Sequence, residues 1–327
     1  MRYFFVFFLL LSSLFGDKVL RVATYNVENL FDLNKHGYKY KEYKPFTKSL
    51  WNKINYKIKL QNIAKVIKEI DADVIALQEI HSIDALKDLR LMLKKNGLYY
   101  KYYKITDKKP TAIHVAFLSK VPFVYTKELR VTSSYKYRNI LEIKLKINNK
   151  ELYLFANHWK SKAGPESMRI TSAKVLRNRV EELGYSKNII LLGDFNSDYE
   201  EYIKFKRKRR HNDTNGKTGI NHVLRTIKQG KKSFYNLWYD ADEKDRYSYI
   251  FRGKKEALDN ILISQSLLKK DGIYYIDNSI KNLDTKYLFK KKQIYRWQVS
   301  RARVPKHKGK GYSDHLPVIA DFKINTN

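Results

Sequence analysis

The sequence has no cysteine in 327 residues, and it has few prolines (6) and glycines (13). The lack of cysteine excludes a disulfide framework, a thiolate zinc site, an iron–sulfur cluster and a cysteine nucleophile. Acidic residues are scarce as well, because 33 Asp and Glu stand against 66 Lys and Arg, for a formal net charge of +33. This charge favours polyanionic partners such as nucleic acid or anionic lipid, although codon bias alone can also produce a lysine-rich surface.

Long apolar runs are also rare, and the mean hydropathy of −0.57 excludes a polytopic membrane protein. The exception is the apolar run Tyr3–Leu11, which follows Arg2 and precedes small residues up to Gly16. This layout is typical of a signal peptide. We therefore expect residues 1–16 to be a signal peptide and residues 17–327 to form one domain, exported to the periplasm or the medium without stable membrane insertion. A retained anchor or a buried N-terminal strand is the alternative.

The rest of the chain alternates short apolar strands with amphipathic segments. Strands are predicted at Leu20–Val27, Asp73–Leu77, Ile140–Ile147, Glu151–Ala156, Asn188–Leu192, Leu258–Ile263 and Leu316–Ile324, and helices at Tyr56–Ile70, Ile83–Leu93 and Glu166–Leu183. The third and fourth predicted strands, Ile140–Ile147 and Glu151–Ala156, are joined by an Asn-Asn turn, which predicts a hairpin. The hairpin excludes a purely parallel sheet and the helices exclude an all-β fold, so we predict two packed mixed sheets with helices outside.

Six of these apolar segments carry polar side chains at one end, where layered α/β folds build their sites. The residues are Asn26, Glu79, His158, Asp194 with Asn196, Asp259, and Asp314 with His315. Taken singly, each is explained as well by turn formation or capping. Together, the carboxylate and amide oxygens suit Mg²⁺ or Mn²⁺ rather than zinc, and two histidines beside such a cation suit phosphoester hydrolysis.

The segments TYNVENLFD, DVIALQEI, NHWKSK, GDFNSD, LDNILIS and SDHLPVIADF resemble, in order, the motifs of the endonuclease/exonuclease/phosphatase superfamily, and most closely those of its secreted bacterial nuclease-type members. The resemblance spans about residues 20 to 322. It implies a deoxyribonuclease I-like fold, which is a four-layered α/β/β/α sandwich of two mixed β-sheets flanked by helices.

The resemblance also implies a role for each site residue. Metal binding would fall to Asn26, Glu79 and Asp314; water activation to Asp194 and Asn196; proton transfer to His315, oriented by Asp259; and phosphate stabilisation to His158 and Arg138. Pancreatic-type deoxyribonucleases orient the histidine equivalent to His158 with an upstream glutamate. The corresponding segment here, TAIHVAFLS, has no carboxylate, which leaves the orientation of His158 open.

Two basic segments are candidates for contacts with substrate phosphates, or else are ordinary solvated surface. One contains Lys204, Arg207, Arg209 and Arg210, and the other is Lys290–Lys310. With the resemblance, they predict a secreted, monomeric, Mg²⁺-dependent endonuclease (Mn²⁺ or Ca²⁺ being alternatives) that grips the phosphate backbone of DNA or RNA.

Two other functions stay open. A sphingomyelinase-like enzyme or phosphoinositide phosphatase would use the same chemistry on lipid, with Tyr135–Tyr137 or Phe234–Trp238 as aromatic segments for membrane docking. A non-enzymatic basic binding protein is the third hypothesis, but an inactive relative should have lost part of the site, and every site residue is present.

Overall fold

The computed structural model describes residues 18–34, 40–108, 111–205, 211–228 and 230–325. The predicted signal peptide lies outside these ranges, as do Arg207, Arg209 and Arg210. Within the described ranges, we find no helix with both the length and the apolar character needed to span a bilayer.

The described residues form short strands and a few helices. In chain order the strands are β1 (Lys18–Leu30), β2 (Val74–Ile80), β3 (Tyr102–Ile105), β4 (His114–Ser119), β5 (Phe123–Leu129), β6 (Ile140–Ile147), β7 (Lys150–His158), β8 (Ile189–Asp194), β9 (Phe234–Asn236), β10 (Tyr249–Phe251), β11 (Lys254–Glu256), β12 (Asp259–Ser264), β13 (Ile273–Tyr275), β14 (Lys281–Asn282), β15 (Phe289–Lys290), β16 (Gln293–Ile294) and β17 (Val318–Ile324). The α-helices are α1 (Lys53–Ile70), α2 (Ile83–Lys95), α3 (Glu166–Leu183) and α4 (Glu201–Lys204). Single turns of 3-10 helix lie at Lys41–Tyr43, Leu237–Asp240, Glu243–Asp245, Gln265–Leu268 and Lys286–Leu288, and a π-helical turn at Gly219–Val223.

Two mixed sheets organise the chain. The first has the order β13–β17–β1–β2–β4–β3, with β14 also paired to β17, and the second has the order β5–β6–β7–β8–β12–β9. In the first sheet β1 and β2 are parallel, and in the second β7 and β8 are parallel. The other pairs in both sheets are antiparallel, as the hairpin pattern of the sequence predicts.

Three apolar cores separate four layers. One core packs α1 and α2 on the first sheet, for example Ile63 and Leu86 against Ile75. A second lies between the sheets, where Val22 and Val74 of the first face Leu192 of the second. A third packs α3 on the other face of the second sheet. The order helix, sheet, sheet, helix confirms the predicted α/β/β/α sandwich.

The predicted elements are mostly present. The predicted limits of β6 and α3 are confirmed at both ends, while β1 begins earlier and ends later than its apolar stretch. The proposal that Phe234–Trp238 docks on a membrane is wrong, because Phe234, Leu237 and Trp238 are buried in the cores. Their apolar side chains complete the interior beside β12.

Strand register sets the polar strand ends side by side. In the second sheet, Asp194 at the end of β8 is opposite His158 of β7 on one side and Asp259 of β12 on the other. The two sheets are linked at this end, since the side chain of Asn26 in β1 donates a hydrogen bond to Asp194 at 3.1 Å. Residues far apart in the chain therefore meet at one edge of the sandwich.

A β-bulge turns Glu79 toward this edge. The register of β2 shifts between Gln78 and Ile80 against both neighbouring strands, and Glu79 between them has a left-handed φ of 66°. A bulge leaves one residue out of the ladder and re-aims its side chain. Strained backbone of this kind is kept where the surrounding structure holds it, which is common at functional sites.

Gly193 is the residue whose replacement should most disturb this edge. Its φ is 133°, and an added Cβ would lie 2.1 Å from the carbonyl oxygen of Asn157 in β7. We expect Gly193→Ala to lower the free energy of unfolding by about 3 kcal/mol or more, through backbone strain and overpacking. Gly97→Ala is the matched control, because φ is also positive there, at 83°, but no atom lies within 4 Å of an added Cβ. A loss of only about 1 kcal/mol is therefore expected. Equal losses in urea unfolding would contradict the close approach.

His307 should make stability depend on acid pH. Its Nδ1 accepts from the indole of Trp297 at 2.7 Å and its Nε2 donates to the carbonyl of Glu42 at 2.9 Å, so the ring is held neutral. Burial lowers its pKa from 6.5 to about 4. Below pH 6.5 the His307 imidazole binds a proton in the unfolded chain but stays neutral in the folded chain. The free energy of unfolding should therefore fall by about 2–3 kcal/mol as pH falls from 6.5 to 4.

Urea unfolding of the parent chain and of His307→Gln across that pH range tests this expectation. The variant should be less stable at pH 7 but should lose less stability on acidification. Equal slopes for the two proteins would show that His307 contributes nothing to the acid response. Between pH 7 and pH 8, where the ring is neutral in both states, their stability difference should stay constant.

Candidate active site

The amide of Asn26 links acidic side chains from both sheets. Its nitrogen donates to Glu79 Oε1 at 3.3 Å and to Asp194 Oδ2 at 3.1 Å. Its oxygen accepts the backbone N–H of Glu28 at 3.0 Å, which fixes the orientation of the amide because a backbone N–H can only donate. The structure therefore does not place the Asn26 oxygen beside Glu79, where its predicted metal-binding role would need it.

His315 and Asp259 form a buried pair. His315 Nδ1 lies 2.6 Å from Asp259 Oδ2, and both side chains are almost fully buried. The segment before β17 is held by Ser313, whose hydroxyl donates to the Asn26 carbonyl at 2.6 Å and accepts the His315 N–H at 3.1 Å. The ring of Tyr249 packs on the imidazole with centroids 4.9 Å apart. These contacts fix the imidazole in one orientation.

His158 faces the carboxylates with one ring nitrogen. Its Nε2 lies 3.5 Å from Asp194 Oδ2 and 3.8 Å from Glu79 Oε1. Its Nδ1 is buried and has no hydrogen-bond partner among the described residues. The carboxylates of Asp194 and Glu79 therefore face His158 at Nε2, and the described residues offer its Nδ1 no partner that would fix the ring from the other side.

Burial and charge set the protonation states in opposite directions. Burial raises the pKa of Asp194 to about 7, against the attraction of His315. Burial also raises the pKa of Glu79, and the negative charge of Asp314 adds to the rise. For His315, burial lowers the pKa but the charge and hydrogen bond of Asp259 outweigh it, so the pKa lies well above its usual range. Burial, Arg138 and His315 hold the pKa of His158 well below its usual range.

Asp314 belongs to an ion network that sequence reasoning missed. Arg296 lies 3.2 Å from Asp314 Oδ2 and also contacts the buried carboxylate of Glu28. Lys59 is fully buried below them and donates to the Glu28 carbonyl at 2.5 Å. One signal was available: Lys59 lies four residues before Ile63, within the apolar stripe of α1 that the periodicity predicts to be buried.

The predicted phosphate-binding residues fall into two groups. Arg138 and Asn196 lie together at the site, since each donates to the carbonyl oxygen of Trp159 at 3.2 Å. Lys204 instead lies 2.8 Å from Asp198, whose side chain is fully buried. The ammonium of Lys204 is thus already paired with a carboxylate, and the position of Arg207, Arg209 and Arg210 is outside the described residues.

Several of these groups border one cavity of about 720 Å³. Its lining includes Glu79, Arg138, His158, Asp194, Asn196, Asp314 and His315. A hairpin formed by β10 and β11 makes one wall, with the half-exposed ring of Phe251 at its tip. Lys162 holds this hairpin by ion pairs to Glu256 at 3.0 Å and to Glu201 of α4 at 2.8 Å. Sequence reasoning missed the hairpin because its strands are only three residues long.

The arrangement of buried carboxylates and histidines at one end of a two-sheet sandwich has a counterpart in a known family. The sequence model of the Endonuclease/Exonuclease/phosphatase family matches residues 21–323. The chain belongs to this family. Enzymes of the family are hydrolases that act on phosphoester bonds. No curated protein sequence matches the chain significantly.

Solved structures share the fold of this family member at low sequence identity. A humanised D. rerio TDP2 with 14 mutations is 15% identical, with a TM-score of 0.60 over 93% of this chain and 98% of that chain. D. rerio TDP2 complexed with single-strand DNA product is 15% identical, with a TM-score of 0.60 over 94% and 99%. A mannosyl-6-phosphatase from Bacteroides thetaiotaomicron is 17% identical, with a TM-score of 0.57 over 93% and 99%.

Enzymes of the endonuclease/exonuclease/phosphatase family use divalent metals, and the donor set here fits one. Glu79, Asp194 and Asp314 supply oxygen ligands to one cavity, which is the chemistry that Mg²⁺, Mn²⁺ and Ca²⁺ prefer. The ligand atoms of Asp194, Asp259 and His315 also lie within 4.8 Å of one another, but His315 and Asp259 already share a hydrogen bond. Glu79 and Asp314 also border the cavity with carboxylate oxygens, and they form the candidate pair for a cation.

Proposed function

We propose that the protein is an exported, divalent-metal-dependent phosphodiesterase that hydrolyses DNA with little sequence preference. The observation that carries the proposal is the register of the second sheet, which aligns His158, Asp194 and Asp259 in a row facing Glu79 across the sandwich. Hydrolysis of a phosphodiester needs a base, an acid and neutralisation of the phosphate charge. Around this row, Asp194 is the base, His315 held by Asp259 is the acid, and Glu79 with Asp314 could hold a cation that neutralises charge.

The protonation states assign the proton transfers. Asp194, with a pKa near 7, accepts a proton from the attacking water. His315 is charged and held through Nδ1 by Asp259, so its Nε2 donates a proton to the leaving oxygen. Neutral His158 stays beside Asp194 and hydrogen-bonds a phosphate oxygen. The amide of Asn26 keeps Glu79 and Asp194 in place, which is a positioning role instead of the metal ligation that the sequence predicted.

Glu79 and Asp314 would hold the divalent cation. When bound, the cation would polarise the scissile phosphate and stabilise its growing negative charge. Arg296 forms ion pairs with Asp314 and Glu28, so it orients the Asp314 carboxylate. Arg138 at the cavity supplies a further positive charge for the phosphate.

The basic composition supports nucleic acid as the substrate. A net charge of +33 around a phosphodiester site would raise the local concentration of polyanion. The structural neighbour described as complexed with a single-strand DNA product shares the fold and supports this choice of polymer. Export rests on the signal-peptide layout of residues 1–16.

Purified protein should be assayed on plasmid DNA, single-stranded DNA, RNA, sphingomyelin, phosphoinositides and mannose 6-phosphate, with Mg²⁺ and with chelator. We expect cleavage of DNA that exceeds every lipid and sugar rate, stops with chelator and weakens steeply with salt. Phosphate release from lipid or sugar phosphate that exceeds DNA cleavage would replace the proposed substrate. No metal-dependent activity on any of them would favour a binding protein.

A phosphomonoesterase or lipid phosphodiesterase is the second candidate. The half-exposed ring of Phe251 at the cavity wall could contact an apolar group of a lipid substrate as well as a base. The fold is also that of a mannosyl-6-phosphatase. Phe251→Ala separates the candidates, because it should raise KM only for the substrate that the ring contacts.

A further inference from the structure

Two segments without acidic residues pack into one face of the molecule. The chain carries no Asp or Glu between Glu42 and Glu69, where it has seven Lys, and none between Asp284 and Asp314, where it has ten Lys and Arg. The segments are joined by hydrogen bonds from the His307 N–H to the Ser49 carbonyl at 2.9 Å and from the Asn62 amide to the Gly311 carbonyl at 2.9 Å. We call the joined surface of residues 43–57 and 299–310 the basic face.

Large apolar side chains are exposed in this basic face. Phe46 is 57% exposed, Ile54 71%, and Leu50 and Val304 43% each. Phe46 and Leu50 lie close together because the Phe46 N–H bonds the Trp51 carbonyl at 2.8 Å. Single exposed apolar residues are ordinary, but four on two segments that are joined in one face form a patch that needs an explanation.

The backbone at Phe46 and Leu50 is strained, and it holds these two side chains toward the solvent. Phe46 and Leu50 have left-handed φ values of 58° and 63°, which bulky residues rarely adopt. The turn is kept by Trp51 and Tyr43, which are buried beneath it and stack edge to face. Strained residues of this kind persist where the rest of the structure holds them and often serve a function.

Charged residues surround the apolar tips on both segments. Lys44, Lys48, Lys53, Lys57, Arg301, Arg303, Lys306 and Lys308 are all exposed. Phosphodiester backbones are contacted by Lys, Arg and polar groups and give no partner to aliphatic side chains. Apolar tips among cations match a membrane surface instead, where the tips enter the acyl boundary and the cations contact anionic head groups.

We propose that the basic face docks the protein on anionic lipid bilayers, with Phe46, Leu50 and Ile54 entering the acyl boundary. This binding site is distinct from the catalytic residues and does not depend on the substrate proposed above. The cavity wall includes Glu42, which adjoins the basic face, so docking would hold the cavity beside the bilayer.

Vesicle sedimentation tests the proposal. The protein should bind vesicles of phosphatidylglycerol and phosphatidylcholine but not vesicles of phosphatidylcholine alone. Phe46→Asn with Ile54→Gln should weaken this binding ~10-fold or more, since two apolar side chains lose their place in the bilayer. Asn tolerates the left-handed backbone of Phe46, so the fold should be kept.

Leu91→Gln with Val124→Thr is the matched control, because it removes two apolar side chains of similar exposure outside the basic face. The control should bind vesicles like the parent chain, and both double variants should cleave soluble DNA at the parent rate. Unchanged vesicle binding in Phe46→Asn with Ile54→Gln overturns the proposal. A loss of DNA affinity in this variant without a loss of vesicle binding would also overturn the proposal, and would indicate that the face binds nucleic acid.

A second measurement needs no destabilising change. Phe46→Trp places a fluorescent ring at the tip, and its emission should shift to the blue on addition of the anionic vesicles. Val124→Trp should show no shift. A Phe46→Trp emission that stays unchanged while the protein sediments with the vesicles would show that the tip remains in water and would overturn the insertion.

Discussion

Replacing His315 by alanine is expected to lower kcat for DNA hydrolysis ~10³-fold, the size of effect that loss of a general acid produces. The imidazole is buried, its Nδ1 bonds Asp259 at 2.6 Å, and the charge of Asp259 keeps its pKa well above the usual range. The variant loses the proton donor and also leaves the Asp259 carboxylate buried without its partner. Plasmid cleavage under saturating substrate measures the effect.

His211→Ala is the matched control for this prediction, since His211 borders the same cavity but its ring has no carboxylate partner among the described residues. It should keep kcat within a few-fold of the parent chain. Asp259→Asn should fall between the two, because the imidazole keeps a neighbour but loses the charge that raises its pKa. A His315→Ala variant with more than a tenth of the parent activity would falsify the proton-donor assignment.

Replacing Glu79 by glutamine is expected to lower activity ~10³-fold at millimolar Mg²⁺ and to raise the Mg²⁺ concentration needed for half-maximal rate. Glu79 accepts hydrogen bonds from the Asn26 amide at 3.3 Å and the Asn29 N–H at 2.9 Å. Glutamine keeps the shape but removes the negative charge and one acceptor oxygen. The loss should therefore be chiefly one of cation affinity, which calorimetric titration with Mg²⁺ measures directly.

Glu42→Gln provides the comparison, because Glu42 borders the same cavity and is partly exposed. Its replacement removes one negative charge from the cavity wall and leaves Glu79 in place, so it shows whether any lost charge at the cavity produces the effect. If the two variants need the same Mg²⁺ concentration, Glu79 is not a metal ligand. If Glu79→Gln binds Mg²⁺ normally but is inactive, its role is to position Asp194 through Asn26.

The strongest periodicities in the sequence predicted the parts of the fold that large cores stabilise. Strand β6 alternates with period two along its whole length, and helix α3 ends directly before Gly184, so both were predicted at their observed limits. Strands such as β10 and β11 have three residues each, with no period to detect. They pair with each other, and an isolated bridge joins Tyr249 of β10 to His315. Their formation depends on a turn at Arg252 and Gly253, both with left-handed φ.

The candidate site could be predicted as a set of residues but not as a geometry. Polar strand ends indicated that Asp194, His158 and Asp259 would meet, and the register places them in one row. The bulge at Glu79 depends on the pairing of β2 with β4, and the hydrogen bond from Asn26 to Asp194 joins the two sheets. The second contact joins residues 168 positions apart, and local patterning carries no information on either contact.

The position of β17 has a consequence for when the protein becomes active. This strand lies between β13 and β1, so residues near 320 pair with residues near 22. His315 lies shortly before β17, so it reaches the site only when that pairing forms. Pairing over such a separation carries a large loop-closure entropy and forms slowly. A chain that is still being synthesised or is unfolded therefore lacks the His315–Asp259 pair that donates the proton. Hydrolytic activity should appear only after folding is complete.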